Sequence, residues 1–153
     1  IELHARASRH AGLLHGLLER AGRLESELGP VSIVFGHNDL LPANFIDDGK
    51  RLWLIDWDYA GFNSPLFDLG GLVSNNELDA AQTRFVMERY FGKADADLER
   101  RLAAMKCASL LREAMWSMVS EIHSRIQFDY VAYASDYLAR FNRAYEEFTG
   151  DAQ

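Results

Sequence analysis

Apolar residues in the first part of the chain recur at helical rather than alternating spacing. Leu3, Leu14, Leu17, Leu18, Ala21, Leu24 and Leu28 fall on one stripe, which predicts a helix over residues 3–28 that Gly29-Pro30 stops. The pattern then shortens. "VSIVF" at 31–35 reads as a strand, and "NFI", the turn "DDGK" and "RLWLI" predict a β-hairpin with Asp48-Gly49 as its turn signal. Beyond a Gly/Asn/Ser/Pro-rich passage at 61–65 the helical spacing returns, with segments over about 77–91, 96–124 and 130–148. Gly92 and Gly150 suit the ends of the first and last of these, and Asp95 and Asp129 suit N-caps. No internal repeat, low-complexity tract or linker divides the chain. The expected fold class is α+β, mainly α-helical: a single domain over residues 1–153 whose helical body carries a small β-hairpin.

The hairpin lies among the residues with chemical potential. "HNDLLPAN" at 37–44 places His37, Asp39 and Asn44 just ahead of it, and the hairpin leads into Asp56. A strand running into Ile55-Asp56-Trp57-Asp58 would turn Asp56 and Asp58 to one face and Trp57 to the other. Asn44, Asp56 and Asp58, with Asp39 on the adjoining loop, would then form a hard-oxygen site of the kind that takes Mg²⁺ through few protein ligands. The order His-x-Asp, Asn five residues on, hairpin, Asp matches the catalytic loop and metal motif of kinases. In that chemistry the first Asp orients or deprotonates a hydroxyl, and the Asn and the second Asp hold the metal. Any one of Asp39, Asp47, Asp48 and Asp58 is equally at home as a turn acid. The ordered set is more specific than its members. His37 reads as a scaffold residue.

Composition narrows the partners. The 153 residues carry 16 Lys+Arg against 23 Asp+Glu, a formal net charge of −7, and the basic residues are scattered. That disfavours nucleic acid and an anionic membrane surface, and suits a cationic ligand. No window approaches a membrane span, and the single Cys107 sits in an apolar helical stretch, so a reducing, cytoplasmic setting is expected.

On these residues the chain resembles the choline/ethanolamine kinase family within the aminoglycoside phosphotransferase-like kinases, which have a protein-kinase-like fold. "GHNDLLPANFI" is similar to the family's catalytic loop, "LIDWDYAG" to its metal motif and "FNSPLFDLG" to the continuation. "AMWSMVSEIHSRIQFDYVAYASDYLARF" resembles the helix, loop and helix that build its choline pocket. The resemblance implies Asp39 as the base, Asn44 and Asp56 as Mg²⁺ ligands with Asp58 accessory, and Asp68 as a brace for the loop backbone. It implies Trp116, Ile126 and Tyr133 as substrate lining. A quaternary ammonium donates no hydrogen bond, so aromatic faces and a nearby acid suit it. Glu113, three residues before Trp116, would share its helix face and be that acid if it faces the pocket, although Trp and Tyr at helical spacing suit a core and a charged pair suits the wet side of a helix. Animal members of the family commonly carry a polar residue at the position of Leu41 and an aromatic at that of Glu113. Choline, ethanolamine and other amino alcohols therefore stay open.

The implied activity is ATP- and Mg²⁺-dependent phosphoryl transfer to a small cationic alcohol, choline first. An aminoglycoside or other hydroxylated-amine kinase, or a non-catalytic pseudokinase module, are the alternatives. No G-x-G-x-x-G occurs, and Lys50, Lys93 and Lys106 fall in a turn, a helix end and a helix rather than on a strand. The chain thus reads as a C-terminal lobe without its nucleotide-binding lobe, expected to bind ATP poorly and to be nearly inactive alone. A face left uncovered in that way is a route to homo-oligomers.

Overall fold

The computed structural model describes residues 8–150. The first helix, α1, spans Ala11–Leu28, and the part of the expected helix around Leu3 lies outside the described residues. Two short antiparallel pairs follow. β1 (Val34–Gly36) pairs with β4 (Gly61–Asn63) in the register Phe35 to Phe62, and β2 (Phe45–Asp47) pairs with β3 (Leu52–Leu54) as the expected hairpin. The Gly/Asn/Ser/Pro-rich passage at 61–65 contains a strand, and β4 forms there because its partner is β1, 25 to 29 residues away along the register.

Four helices complete the body: α2 (Pro65–Asn75), α3 (Ala80–Phe91), α4 (Ala96–His123) and α5 (Tyr130–Thr149). The last three fall where their apolar spacing predicts. Asp95 and Asp129 accept from the backbone N–H of Leu98 and Ala132, while Gly92 and Gly150 close α3 and α5 in the left-handed conformation. α3 starts at Ala80, later than expected, because Asp79 and Gln82 form a reciprocal capping box. α2 is a helix beyond the segments that the apolar spacing predicts. Its signal was present in Ser64-Pro65, an N-cap whose hydroxyl accepts from Leu66 N–H followed by proline at the first helical position.

α4 is buried on two sides and organises the body. Leu98, Leu102 and Met105 join Leu66, Leu69 and Val73 of α2 and Met87 of α3 in one core. Ala104, Cys107, Leu110, Leu111, Ala114 and Met118 face Leu17 and Leu24 of α1 and Ala134, Tyr137, Phe141, Ala144 and Phe148 of α5 in another. Cys107 is part of this packing, and burial pushes its thiol up to about 12. α2 reaches α4 closely at Gly70, where an added Cβ would stand 2.9 Å from the carbonyl carbon of Met105.

Gly70→Ala is therefore expected to lower stability by roughly 1–3 kcal/mol through overpacking. Gly22→Ala, at an α1 position with nothing within 4 Å, should be neutral or raise the melting temperature, because glycine costs helix stability. Paired thermal denaturation checks both. Equal melting temperatures for the two variants would contradict the close α2–α4 contact.

Candidate active site

β1 ends at Gly36 and delivers the chain into the 37–44 loop, which Asp68 of α2 and Asn76, the residue that caps the C-terminus of α2, hold. The Asp68 carboxylate accepts from both His37 N–H (2.7 Å to Oδ2) and Asn38 N–H (2.6 Å to Oδ1). A Cβ at Gly36 would lie 2.6 Å from that Oδ2, so only glycine leaves room for the carboxylate. At the other end of α2, Asn76 donates to Leu40 O (3.2 Å). Between these anchors Asn38 adopts φ +64°, sparsely populated for any residue but glycine. Its side chain donates to Tyr59 O and Gly61 O and accepts from Asn63, which ties the loop to β4.

His37 is 2% exposed, and its Nε2 lies 2.9 Å from Ile55 O. A carbonyl cannot donate, so that nitrogen carries the proton. The ring also meets Trp57 edge-on at 4.7 Å. His37 thereby joins the loop to the chain leading into Asp56. Asn44, 7% exposed, lies beside the same stretch, with Ile55 N–H donating to its carbonyl (3.0 Å). Its Nδ2 donates to Asp39 O (2.8 Å) and more weakly to Asp39 Oδ2 (3.3 Å). With the amide nitrogen committed to Asp39, Asn44 Oδ1 is the atom left for a cation.

The expected strand alternation at Asp56 and Asp58 does not occur. β3 ends at Leu54, Asp56 turns into the left-handed region (φ +60°) and Asp58 lies in an exposed turn. Nearest-neighbour alternation fails here because the chain must turn from the hairpin towards β4. Among the described residues no three His, Cys, Asp or Glu side chains gather as a metal cluster. The donors themselves, an amide oxygen and aspartate carboxylates, have the hard-oxygen chemistry that suits Mg²⁺ held through few protein ligands, with water and phosphate as the others.

The substrate candidates lie where α4 and α5 meet. Ser117, fully buried, donates to Tyr130 O (2.7 Å) and sets the approach of the two helices. Trp116 packs edge-on to Tyr130 and Tyr133, each with ring centroids 5.9 Å away, and Phe128 meets the same two tyrosines at 5.0 and 5.6 Å. Ile126 instead stands 74% exposed on the intervening turn. Phe128 and Tyr130 were not among the expected lining residues, although the "QFDY" turn lies within the quoted pocket segment.

Glu113 faces inward, 5% exposed. Tyr133 Oη donates to its Oε2 (3.0 Å), and Arg112 Nη1 lies 3.0 Å from its Oε1. That second contact is an ion pair without hydrogen-bond alignment, which leaves Oε1 buried and without a hydrogen-bond partner. Burial raises the Glu113 carboxyl above the usual range, against the opposing pull of Arg112. The Tyr133 phenol is likewise raised, chiefly by burial. Arg112 is a further residue of this site, which the sequence marks only as a charge within an apolar run. Its guanidinium also donates to Asn38 O (3.1 Å) and stands 3.5 Å from Asp39 Oδ1. A chain of contacts thus runs from Asp39 through Arg112 and Glu113 to Tyr133 and the aromatic cluster. A cleft of about 650 Å³ that includes Leu78, Thr83, Met87 and Lys106 shares none of these residues.

A helical body carrying a loop with His37, Asp39 and Asn44 and a hairpin that leads to Asp56 has the architecture of the C-terminal lobe of a protein-kinase-like fold. Comparison with known proteins narrows the class. Residues 19–90 match the family described as choline/ethanolamine kinase. The chain is 31% identical over 101 residues to protein LicA of Haemophilus influenzae, covering 61% of this chain and 38% of LicA. It is 30% identical over 135 residues to mouse ethanolamine kinase 2, covering 74% of this chain and 34% of that enzyme. The crystal structure of a choline/ethanolamine kinase family protein from Mesorhizobium loti superposes with a TM-score of 0.80 at 32% identity, over 90% of this chain and 48% of that one. Choline kinase LicA from Streptococcus pneumoniae shares the fold, with a TM-score of 0.72 at 23% identity over 88% of this chain and 48% of that one. The chain belongs to the choline/ethanolamine kinase family, and it spans less than half the length of these relatives. Among the described residues no helix is long and apolar enough to cross a membrane.

Proposed function

We propose that the protein transfers the γ-phosphoryl group of ATP to the hydroxyl of a small cationic amino alcohol of the choline/ethanolamine type, choline being the first candidate. The observation that carries this reading is the short path from Asp39 to an aromatic cluster with a buried carboxylate. It sets a base for a hydroxyl near rings and an acid suited to an ammonium group. In the transfer, the alcohol oxygen bonds to the γ-phosphorus as the bond to the β,γ-bridging oxygen breaks. ADP leaves with that electron pair, and Asp39 takes the hydroxyl proton. Asn44 Oδ1 and Asp56, with Asp58 as an accessory acid, are the groups that would hold Mg²⁺. When bound, the ion neutralises charge on the phosphate oxygens. His37 and Asp68 hold the loop, and Trp116, Tyr133 and Glu113 receive the amine, with Ile126 at the rim.

The nucleotide-holding lobe belongs to sequence outside these 153 residues. The absence of a glycine-rich phosphate loop and of a strand lysine supports this, as does the share of the relatives that the chain spans.

The test follows ADP formation by the native full-length protein with ATP and Mg²⁺ against choline, ethanolamine and an aminoglycoside. Choline- or ethanolamine-dependent turnover is expected, and Asp56→Asn should raise the Mg²⁺ concentration needed for half-maximal rate by about tenfold or more. Turnover with the aminoglycoside alone, or with none of the three, would overturn the reading.

A further inference from the structure

A phosphoryl-transfer site needs positive charge near the group in flight, and the 37–44 loop supplies none. It contains no Lys or Arg, and Leu40 and Leu41 follow Asp39 directly. The cation against Asp39 comes instead from α4, 73 residues further along the chain. Arg112 is 30% exposed in its side chain, so a ligand can reach it, and the rings of Tyr59 and Phe67 flank its guanidinium at 5.5 and 5.7 Å. Such flanking orients a planar guanidinium at little entropic cost.

Its contacts with the two carboxylates are poised rather than closed. A committed guanidinium–carboxylate hydrogen bond closes to about 2.7–2.9 Å with good alignment. Here Nη2 stands 3.5 Å from Asp39 Oδ1, and the 3.0 Å approach to Glu113 Oε1 lacks hydrogen-bond alignment. The charges do not balance either. Asp39 and Glu113 both contact one guanidinium, and Arg140, which also acts on Glu113, makes its own ion pairs with Glu77 and Asp136, so one negative charge is left over when both carboxylates are ionised. An ammonium substrate at the aromatic cluster supplies the missing positive charge to Glu113 and weakens its hold on Arg112.

We propose that Arg112 is a catalytic residue of this enzyme: as the ammonium substrate takes over the charge of Glu113, the guanidinium turns to contact the oxygens of the transferring phosphoryl group beside Asp39. This rests on the phosphoryl-transfer reading above. Substrate binding at one end of the Arg112–Glu113 pair then completes the charge arrangement at the other. Bound ATP without an acceptor alcohol meets an arginine still held by Glu113, which disfavours transfer to water. Bond changes are those of the transfer already described, and Arg112 forms no covalent bond and moves no proton.

The experiment compares wild type, Arg112→Ala, Arg112→Lys and Asp39→Asn in the native full-length protein, by steady-state kinetics with and without added guanidinium ion and by thermal denaturation. Arg112→Ala should lower kcat by roughly 10²–10³-fold, with KM for the amino alcohol within about threefold of wild type. Guanidinium should restore at least about tenfold of the lost rate, and Arg112→Lys should retain an intermediate kcat. A kcat for Arg112→Ala within about threefold of wild type would overturn the proposal. So would a lost rate that guanidinium does not restore, with a matching fall in melting temperature, since Arg112 would then only pin the loop through Asn38 O. If Asp39→Asn is inactive while Arg112→Ala is not, this inference alone fails. If wild type turns over no amino alcohol, the phosphoryl-transfer reading fails with it.

Discussion

Asp39→Asn in the native full-length protein is expected to lower kcat by roughly 10²–10⁴-fold, the range for loss of a positioned acid–base group. The substitution keeps shape and removes charge. Asp39 receives the Asn44 amide on Oδ2 at 3.3 Å and faces Arg112 across 3.5 Å from Oδ1, so neither contact is a strong structural bond. The melting temperature should therefore stay close to wild type, with a stability change of at most about 1 kcal/mol. Steady-state kinetics and thermal denaturation on the same preparations separate the two effects. A kcat within about tenfold of wild type would remove Asp39 from the role of base.

Asp68→Ala should have the largest effect on the fold of the site. Its two oxygens accept from consecutive backbone N–H groups of His37 and Asn38 at 2.7 and 2.6 Å, holding Asn38 at φ +64°. A hydrogen bond to a charged acceptor contributes about 1.5–3 kcal/mol, and here two are lost together. A destabilisation of about 3 kcal/mol is the expected lower bound, equivalent to roughly 6–12 °C in melting temperature for a domain of this size. Activity should fall even well below that temperature, because relaxation of Asn38 moves its neighbour Asp39. An unchanged melting temperature would mean that other contacts hold the loop. An unchanged kcat with a lowered melting temperature would mean that Asp39 does not depend on the brace.

Local sequence determined much of this protein. Capping pairs, helix-ending glycines and the Asp48-Gly49 turn act within four or five residues, so α3, α4, α5 and the hairpin were legible to within a few positions. The placement of His37, Asp39, Asn44 and Asp56 around one hairpin was legible for the same reason, because a loop-and-hairpin unit keeps these residues close along the chain. What lay beyond that reach was set by packing. The pairing of β1 with β4 depends on a partner that no local pattern identifies. The left-handed turn at Asp56 replaced the expected strand alternation because the chain must cross to β4. Arg112-Glu113 showed in the sequence only as charge within an apolar run, a pattern that suits a wet helix face and a buried ion pair equally. Only the tertiary structure decided between them. α4 lies with Glu113 against Tyr133 of α5 and Arg112 against the 37–44 loop, and a charge placed between packed elements takes whichever opposite charge the packing sets beside it.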